Sequence, residues 1–386
     1  MRRLLLATLL LVGCAPDDGA IYTLVGGGVA GLGGEAVAPE DAELYIPMDA
    51  VPTADGAFVM DWNNNRIRFW DREADLVTTV VGAGLSGDGP DGVLPTESRL
   101  NHSTDITEAP DGRLLVADWH NHRLKWVTPG QRIEAAYGVG EPDFGGDGGP
   151  AEDAAFRYPV TVRYAPDGAL IVADQGNNRV RRVDPETGLI DTIVGTGLGA
   201  SFDELGEGER CIDANPQGVL DCFNGDGGPA TEATLNNTLG QSGVPMGRLE
   251  VAADGSLVIA DTKNHVVRRV DAGTGIIETI AGVGGSSGFD GDGGDATLAL
   301  LDSPHDVALA DDGSVYIADT ENHCVRVLLP DGTLTTAAGV CGTSGYDGDG
   351  GPPEEALLNA PYGVAVDGDL VLIIDSFNHV VRGFQR

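Results

Sequence analysis

Basic residues are scarce in this chain of 386 residues: 23 Lys and Arg stand against 60 Asp and Glu, for a formal net charge of −37. A surface of this sign repels phosphate backbones, and no cluster of Lys and Arg offsets it, which argues against nucleic-acid binding. Aromatic residues make up only 5% of the chain, and no apolar run beyond the N-terminus has membrane-spanning length. Glycine, with 58 residues, is abundant and suits many tight turns between short strands.

The N-terminus has the features of a bacterial export signal. It begins with two arginines, continues with about ten apolar residues and reaches small residues before Cys14. The sequence LVGC (11–14) resembles a lipobox, which implies cleavage before Cys14 and acylation of its sulfur and new amine. We therefore expect a signal peptide at 1–13, a lipidated cysteine and tether at 14–20, and a periplasmic or surface-exposed lipoprotein. Ala15 after the cysteine favours the outer membrane.

Four further cysteines form an even set, as expected in an oxidising compartment. Cys211 and Cys222 lie within an insertion at about residues 199–223, where a disulfide would close a loop of about ten residues. Cys324 and Cys341 flank a hairpin with the turn Pro-Asp-Gly, and its register makes a second disulfide plausible. The absence of a C-x-x-C pair argues against a metal site built from these cysteines.

A nine-residue phrase recurs six times: an apolar residue, Asp, two variable residues, Asn, His or Asn, and a run ending in a basic residue. The copies are MDWNNNRIR (60–68), ADWHNHRLK (117–125), ADQGNNRVR (173–181), ADTKNHVVR (260–268), ADTENHCVR (318–326) and IDSFNHVVR (374–382). The lead aspartates are Asp61, Asp118, Asp174, Asp261, Asp319 and Asp375, with spacings of 57, 56, 87, 58 and 56 residues. Such a period, with short strands and Gly-rich turns, is typical of a propeller or solenoid.

Each unit contains four apolar-polar alternating segments separated by Asp-Gly or Asn turns, which predicts four antiparallel strands. Six such units predict an all-β, six-bladed propeller. The sixth unit stops after its third strand, whereas residues 21–26 (IYTLVG) match fourth strands such as 190–195 (IDTIVG). The N-terminal strand should therefore complete the last blade and leave no open edge.

These repeats resemble NHL repeats, named for an Asn-His-Leu-type triplet that stands here as NHV at 264–266 and 378–380. The resemblance covers essentially residues 21–386 and implies a six-bladed β-propeller. NHL proteins include binding scaffolds, cell-surface proteins and a few enzymes, so the family does not decide the function. Amidating lyases and gluconolactonase-like proteins hold an axial metal, but here only His305 and, less securely, His102 lie near the expected axis.

Three sets of side chains are candidates for a structural or functional role. The basic residue seven positions after each lead Asp should face a carboxylate of its own or the adjacent blade. A second set is expected where the first strands enter near the propeller axis, and it consists of Asp49, Asp105, Asp306, His305 and Tyr362. This axial set could hold a cation or a polar ligand, or form a solvated acidic rim. In the fourth unit the equivalent axial position is Gly247 or Arg248. The loops between blades echo the x, x+2 spacing of calcium sites but lack a terminal Glu, with candidate ligands Asp290, Asp292, Asp347 and Asp349. The helical turn expected after these loops should carry Leu235, Leu300 or Leu358 into the groove between blades.

Taken together, the residues favour an exported, lipid-anchored, monomeric propeller that binds a protein, a glycan or an envelope polymer through its loops and the 199–223 insertion. The alternative is a hydrolase or lyase with a metal held on the axis by Asp49, Asp105 and Asp306. A purely structural envelope protein is a third reading. No P-loop and no nucleophile–base pair are evident, so a non-enzymatic role is favoured, and calcium is the one cofactor that the sequence suggests.

Overall fold

The computed structural model describes residues 19–197, 223–237 and 244–386. Within these ranges the chain folds into six antiparallel sheets of four main strands each, which confirms the all-β, six-bladed propeller. The innermost strand of every blade contacts that of the next blade, and the last contacts the first, so the circle is closed. Cys14, Cys211 and Cys222 lie outside the described residues.

The strands are given from the innermost to the outermost. Blades 1 to 3 contain Ala50–Thr53, Gly56–Asp61, Arg66–Asp71 and Leu76–Val81; Asp105–Glu108, Leu114–Asp118, Arg123–Thr128 and Arg132–Tyr137; and Pro159–Tyr164, Leu170–Asp174, Arg179–Val183 and Leu189–Val194. Blades 4 to 6 contain Leu249–Val251, Leu257–Asp261, Val266–Val270 and Ile276–Ala281; Pro304–Leu309, Val315–Asp319, Cys324–Leu328 and Thr333–Ala338; and Pro361–Asp367, Leu370–Asp375, Val380–Gln385 and Tyr22–Val25. Two-residue strands add a fifth member to blades 3, 4 and 5 at Gly149–Pro150, Gly228–Pro229 and Gly294–Asp295.

The N-terminal strand closes the ring. Tyr22 pairs with Gly383 and Val25 with Val381, both on the third strand of blade 6. Because its partner is the last strand of the chain, this pairing joins the two ends and covers an edge that would otherwise be open. The prediction of closure is confirmed.

Antiparallel order gives the propeller two unlike faces. The turns between second and third strands and the described parts of the connections between blades lie on one face, here called the loop face. The first-to-second and third-to-fourth turns lie on the opposite, hairpin face. On the loop face each lead Asp is followed by a 3-10 turn, at Trp62–Asn64, Trp119–Asn121, Gln175–Asn177, Thr262–Asn264, Thr320–Asn322 and Ser376–Asn378.

The connections between blades contain a second set of 3-10 turns, at Pro39–Asp41, Pro95–Glu97, Ala151–Asp153, Ala230–Glu232, Ala296–Leu298 and Pro353–Glu355. Leu235 and Leu358 follow these turns and are buried between blades, as the sequence predicts. In the fifth blade the expectation for Leu300 is wrong, because Leu301 fills the groove instead. All helices in the described ranges are three-residue turns, and none could cross a bilayer.

The disulfide between Cys324 and Cys341 is confirmed, with a Cα–Cα distance of 5.0 Å. Cys324 begins the third strand of blade 5, and Cys341 lies just after the fourth strand. The bond therefore fastens the outer hairpin of this blade at its loop-face end.

Candidate functional site

The lead Asp of each repeat anchors the chain that leads into its own blade. In blade 3, Asp174 Oδ1 accepts the backbone N–H of Arg157 at 2.8 Å, and Asn177 Nδ2 donates to Asp174 Oδ2 at 2.8 Å. The equivalent backbone bonds are accepted by Asp61, Asp118, Asp261, Asp319 and Asp375 at 2.7 to 2.8 Å. Burial raises the pKa of Asp174 to about 6 and the pKa of Asp319 and of Asp375 to about 7. The Asp and Asn of the repeat are therefore structural.

The basic residue of each repeat faces a carboxylate, as predicted, and in blades 2 to 6 it lies between two. The Arg181 guanidinium is 3.6 Å from Asp174 and 2.6 Å from Asp147 in the preceding connection. The same arrangement surrounds Lys125, Arg268, Arg326 and Arg382. In blade 1, Arg68 faces Asp61 at 3.7 Å. The place of the Asp in the preceding connection is taken there by Glu35, which bonds to Thr79.

This arrangement bears on the calcium candidates. Asp292 pairs with Arg326 at 2.6 Å and Asp349 with Arg382 at 2.5 Å, so a guanidinium already occupies one oxygen of each. Asp290 and Asp347 are exposed, and each accepts the N–H of the following glycine. Among the described residues no group of three or more His, Cys, Asp or Glu has metal-binding geometry. Calcium binding stays a prediction.

The His or Asn of each repeat joins its blade to the next one. His323 has a left-handed backbone (φ 57°), and its Nδ1 accepts the N–H of Ala360 from the next blade at 3.1 Å. His122, His265 and His379 do the same, and in the two remaining blades Asn65 and Asn178 accept through Oδ1. Six such bonds run round the ring, and His379 links blade 6 to blade 1. Both His and Asn can occupy this position because neutral imidazole and amide each place an acceptor at this distance.

The predicted axial carboxylates lie inside the propeller. Asp49, Asp105 and Asp306 are 2%, 0% and 5% exposed, so they do not form a solvated rim. Of the two possibilities for blade 4, Arg248 takes the axial position, since its carbonyl accepts from Ala260 as that of Asp49 accepts from Met60. Arg248 ion-pairs with Asp49 and donates to the carbonyl oxygen of Thr104 at 2.8 Å.

Two charged residues that the sequence reasoning missed complete this layer. Arg163 contacts Asp105 at 2.5 Å and Glu250 at 2.8 Å, and so links blades 2, 3 and 4. Asp105 and Asp306 also accept backbone N–H groups of the next blade, from Val162 and Val364. Burial raises the pKa of Asp306 to about 8 despite the opposing effect of Arg248. Opposite charges at equivalent positions of adjacent blades were the signal that could have revealed Arg163 and Glu250.

His305 and Tyr362 lie beside this layer, ring against ring, with centroids 4.6 Å apart at 89°. His305 Nδ1 donates to the carbonyl oxygen of Ser303 at 2.9 Å, and burial lowers the pKa of His305 to about 3. The imidazole is therefore neutral and packed. On the hairpin-face side of the carboxylates is a cavity of about 280 Å³, lined by Asp49, Arg163, Glu250 and aliphatic side chains.

A cluster of rings on the loop face was not found by sequence reasoning. We name it the aromatic arc and define it as Trp62, His102, Trp119, His120 and Tyr158. Ring centroids of neighbours are 4.2 to 6.0 Å apart. Trp119 is fully buried and forms the base, and the other four members are partly exposed. The arc collects two of the four tryptophans in a chain poor in aromatics.

Hydrogen bonds fix the arc in place. Trp119 Nε1 donates to Gln175 Oε1 at 2.9 Å, and Gln175 in turn donates to the carbonyl oxygen of Val244 at 3.2 Å. His102 Nδ1 and His120 Nδ1 lie 3.0 Å apart, so one of them donates to the other. Burial lowers the pKa of both imidazoles, to about 4 for His120. Both rings are thus neutral at pH 7.

The arc extends toward blade 6. Trp62 packs against the small cluster formed by Met48, Ala360 and Tyr362. The ring of Tyr362 is 5.9 Å from that of Phe377, which is 44% exposed. Trp62 Nε1 is buried and has no hydrogen-bond partner within the described residues. The loop face therefore offers a band of flat, neutral rings, which is a surface suited to binding.

Comparison with known proteins agrees with this fold. The NHL repeat family matches residues 301–328. The chloroplastic protein SUPPRESSOR OF QUENCHING 1 of Arabidopsis thaliana is 24% identical over 274 residues, and NHL repeat-containing protein 2 of Bos taurus is 27% identical over 297 residues. Each match covers 70% of this chain but only 23% and 37% of those longer proteins.

Among solved structures, an auxiliary nutrient binding protein from Bacteroides ovatus matches with a TM-score of 0.62 and 17% identity. The match covers 94% of this chain and 76% of that one. At this identity the likeness concerns the fold alone. Together with the family match and the six closed blades, it confirms the resemblance to NHL-repeat propellers.

Proposed function

We propose that this NHL-repeat propeller is an exported binding protein that holds its ligand on the loop face, at the aromatic arc. The observation that carries the proposal is the arc itself: three partly exposed rings rest on a buried indole whose own hydrogen bond is satisfied, and His102 packs against two of these three rings. A preformed surface of this kind loses little conformational entropy on binding. The fold likeness to a nutrient binding protein supports a binding role.

The export part of the proposal places the protein outside the cytoplasm, anchored by a lipid at Cys14 in the bacterial outer membrane. The disulfide between Cys324 and Cys341 supports an oxidising compartment. In cell fractionation with radiolabelled palmitate, the wild type should carry label and sediment with membranes, and Cys14→Ser should lose the label. An unlabelled wild type would contradict the anchor.

The binding part is tested by tryptophan fluorescence of the full-length, detergent-solubilised protein. Two of its four tryptophans lie in the arc, so a bound ligand should change the emission. We would titrate representative sugars, oligosaccharides, peptides and nucleosides, as classes of nutrient, into wild type, Trp62→Ala and Tyr158→Ala. Phe289→Ala is the matched control, because Phe289 is 45% exposed but lies beside Arg326, away from the arc. Binding that both arc variants retain unchanged would contradict the proposal.

An axial metal, the alternative raised by the sequence, has less support. Asp49 and Asp105 already pair with Arg248 and Arg163, and Asp306 accepts two backbone N–H groups. Metal analysis of the purified protein tests this directly: a stoichiometric transition metal would favour the enzyme.

A further inference from the structure

We propose that the ligand of the aromatic arc is a neutral glycan, whose sugar rings stack on Trp62 and Tyr158 while its hydroxyl groups bond to the His102–His120 pair. This inference rests on the proposed function and names the chemical class that the same site takes. Three properties of the arc lead to it: the shape of the surface, its charge and its unused hydrogen-bonding groups.

The shape comes from rings held in fixed positions. Trp119 is the common support: Trp62, His120 and Tyr158 pack against it with centroid distances of 6.0, 4.2 and 4.9 Å. The supported rings keep part of their surface exposed to solvent. The C–H faces of a pyranose are flat and apolar, and they gain dispersion and buried area against such rings.

The charge of the arc excludes ionic ligands. No carboxylate belongs to it, and both imidazoles are neutral at pH 7 because burial lowers their pKa. The whole chain carries a net charge of −37, which repels polyanions such as acidic polysaccharides. Without a local carboxylate, a cationic ligand has no specific ion pair to form here. A neutral ligand remains.

The polar groups of the arc match hydroxyls. His102 and His120 use their Nδ1 atoms on each other, which leaves the opposite side of each ring for a ligand. A hydroxyl both donates and accepts, so it satisfies either tautomer.

The arc is longer than one sugar. Its continuation through Tyr362 to the exposed Phe377 adds further ring surface on blade 6. A chain of several residues would contact both ends, whereas a monosaccharide would contact only one. We therefore expect affinity to rise from disaccharide to hexasaccharide.

The test is calorimetric titration of the full-length protein with maltohexaose, cellohexaose and mannohexaose, and with polygalacturonate as the anionic comparison. At least one neutral hexasaccharide should bind, and Trp62→Ala and Tyr158→Ala should each weaken it about tenfold or more, as for central aromatic contacts. Phe377→Ala should lower the affinity for the hexasaccharide but leave the affinity for the corresponding disaccharide, titrated in the same way, unchanged. Phe289→Ala should bind as the wild type does. Thermal denaturation of every variant verifies that it is folded.

The outcomes distinguish a failure of the glycan assignment from a failure of the proposed binding site. If none of the neutral oligosaccharides binds, or if polygalacturonate binds better, the glycan assignment is overturned. In that case, a peptide or nucleoside that loses affinity in Trp62→Ala would leave the binding function standing. If hexasaccharide affinity is equal in wild type, Trp62→Ala and Tyr158→Ala, both the glycan site and the proposed site fail.

Discussion

On the loop face, the residue after each lead Asp is Trp, Trp and Gln in blades 1 to 3 but Thr, Thr and Ser in blades 4 to 6. All six occupy the first position of the same 3-10 turn. The short hydroxyls turn inward: Thr320 Oγ1 donates to the carbonyl oxygen of Pro361 at 2.7 Å, and Ser376 Oγ accepts the N–H of Tyr362 at 3.3 Å. Trp62 instead keeps part of its ring at the surface.

The difference shows how one frame carries two roles. The Asp, Asn, His or Asn, and basic positions are occupied alike in both halves, because each satisfies backbone groups of the frame. The position after Asp is not needed for these bonds, so its side chain is free to vary. In blades 4 to 6 it adds structural bonds, and in blades 1 to 3 it builds the aromatic arc.

The largest expected effect comes from breaking the frame that both halves share. Arg268→Met leaves the buried Asp261 and the connection Asp226 without their cation, so the unfolding free energy should fall by about 3–5 kcal/mol. The adjacent Arg269 is 45% exposed and pairs with Asp254, so Arg269→Met should cost less than about 1 kcal/mol. Urea denaturation measures both, and equal losses would contradict the structural role of the repeat cation.

The bond between blades gives the next effect. His323→Ala leaves the N–H of Ala360 without its acceptor, which should cost about 1–3 kcal/mol of unfolding free energy. His323→Asn places an amide oxygen where blades 1 and 3 already use one, at Asn65 and Asn178. We expect His323→Asn to regain most of the lost stability in the same denaturation experiment. No difference between the two variants would show that the acceptor is dispensable.

A single hydroxyl sharpens the comparison of the two halves. Thr320→Val removes the donor to Pro361 and should lower the unfolding free energy by about 1 kcal/mol without changing ligand affinity. Trp62→Ala should instead cause a large loss of ligand affinity. If Thr320→Val weakens ligand binding as strongly as Trp62→Ala, the division of roles between the halves is wrong.

Acid should lower the unfolding free energy of the propeller by protonating its buried histidines. Burial lowers the pKa of His122 to about 4 in the folded protein, against 6.5 when unfolded. The unfolded chain therefore binds more protons between these values, and the stability present above pH 6.5 is lost as the pH falls toward 4. Relative to His122→Asn, the wild type should lose about 2 kcal/mol between pH 7 and pH 5. A difference that does not vary with pH would exclude this cause.

The smallest expected effect is that of calcium. Asp292 and Asp349 already bond to Arg326 and Arg382, and a cation would have to compete with each guanidinium. Calorimetric titration of chelator-treated protein should therefore give no heat beyond dilution. Stoichiometric binding that is lost in Asp290→Asn would instead establish a calcium loop.

Much of the frame was predictable because its causes are local. Strand alternation, Asp-Gly turns and the six phrases predicted the blade number, and the match of residues 21–26 to a fourth strand predicted closure. Proximity along a hairpin predicted the Cys324–Cys341 disulfide. The ion pair of each repeat cation followed from the same reasoning, because a buried charge needs a partner.

The contacts of the axial layer and of the aromatic arc were harder to predict because they join side chains from different blades, at positions that vary between repeats. Asp49, Asp105 and Asp306 do face the axis, but their pairing with Arg248 and Arg163 depends on residues in other blades. Leu301 instead of Leu300 fills its groove because one residue of register decides which side chain points inward.

The amino-acid sequence determined the number of blades, the closure of the ring and the ion pair within each repeat, since short-range patterning and turn chemistry suffice for them. Only the tertiary structure decided that Trp62, His102, Trp119 and Tyr158 form one surface. They lie on three different blades, and they meet because antiparallel strands in a closed ring return every connection to the same face.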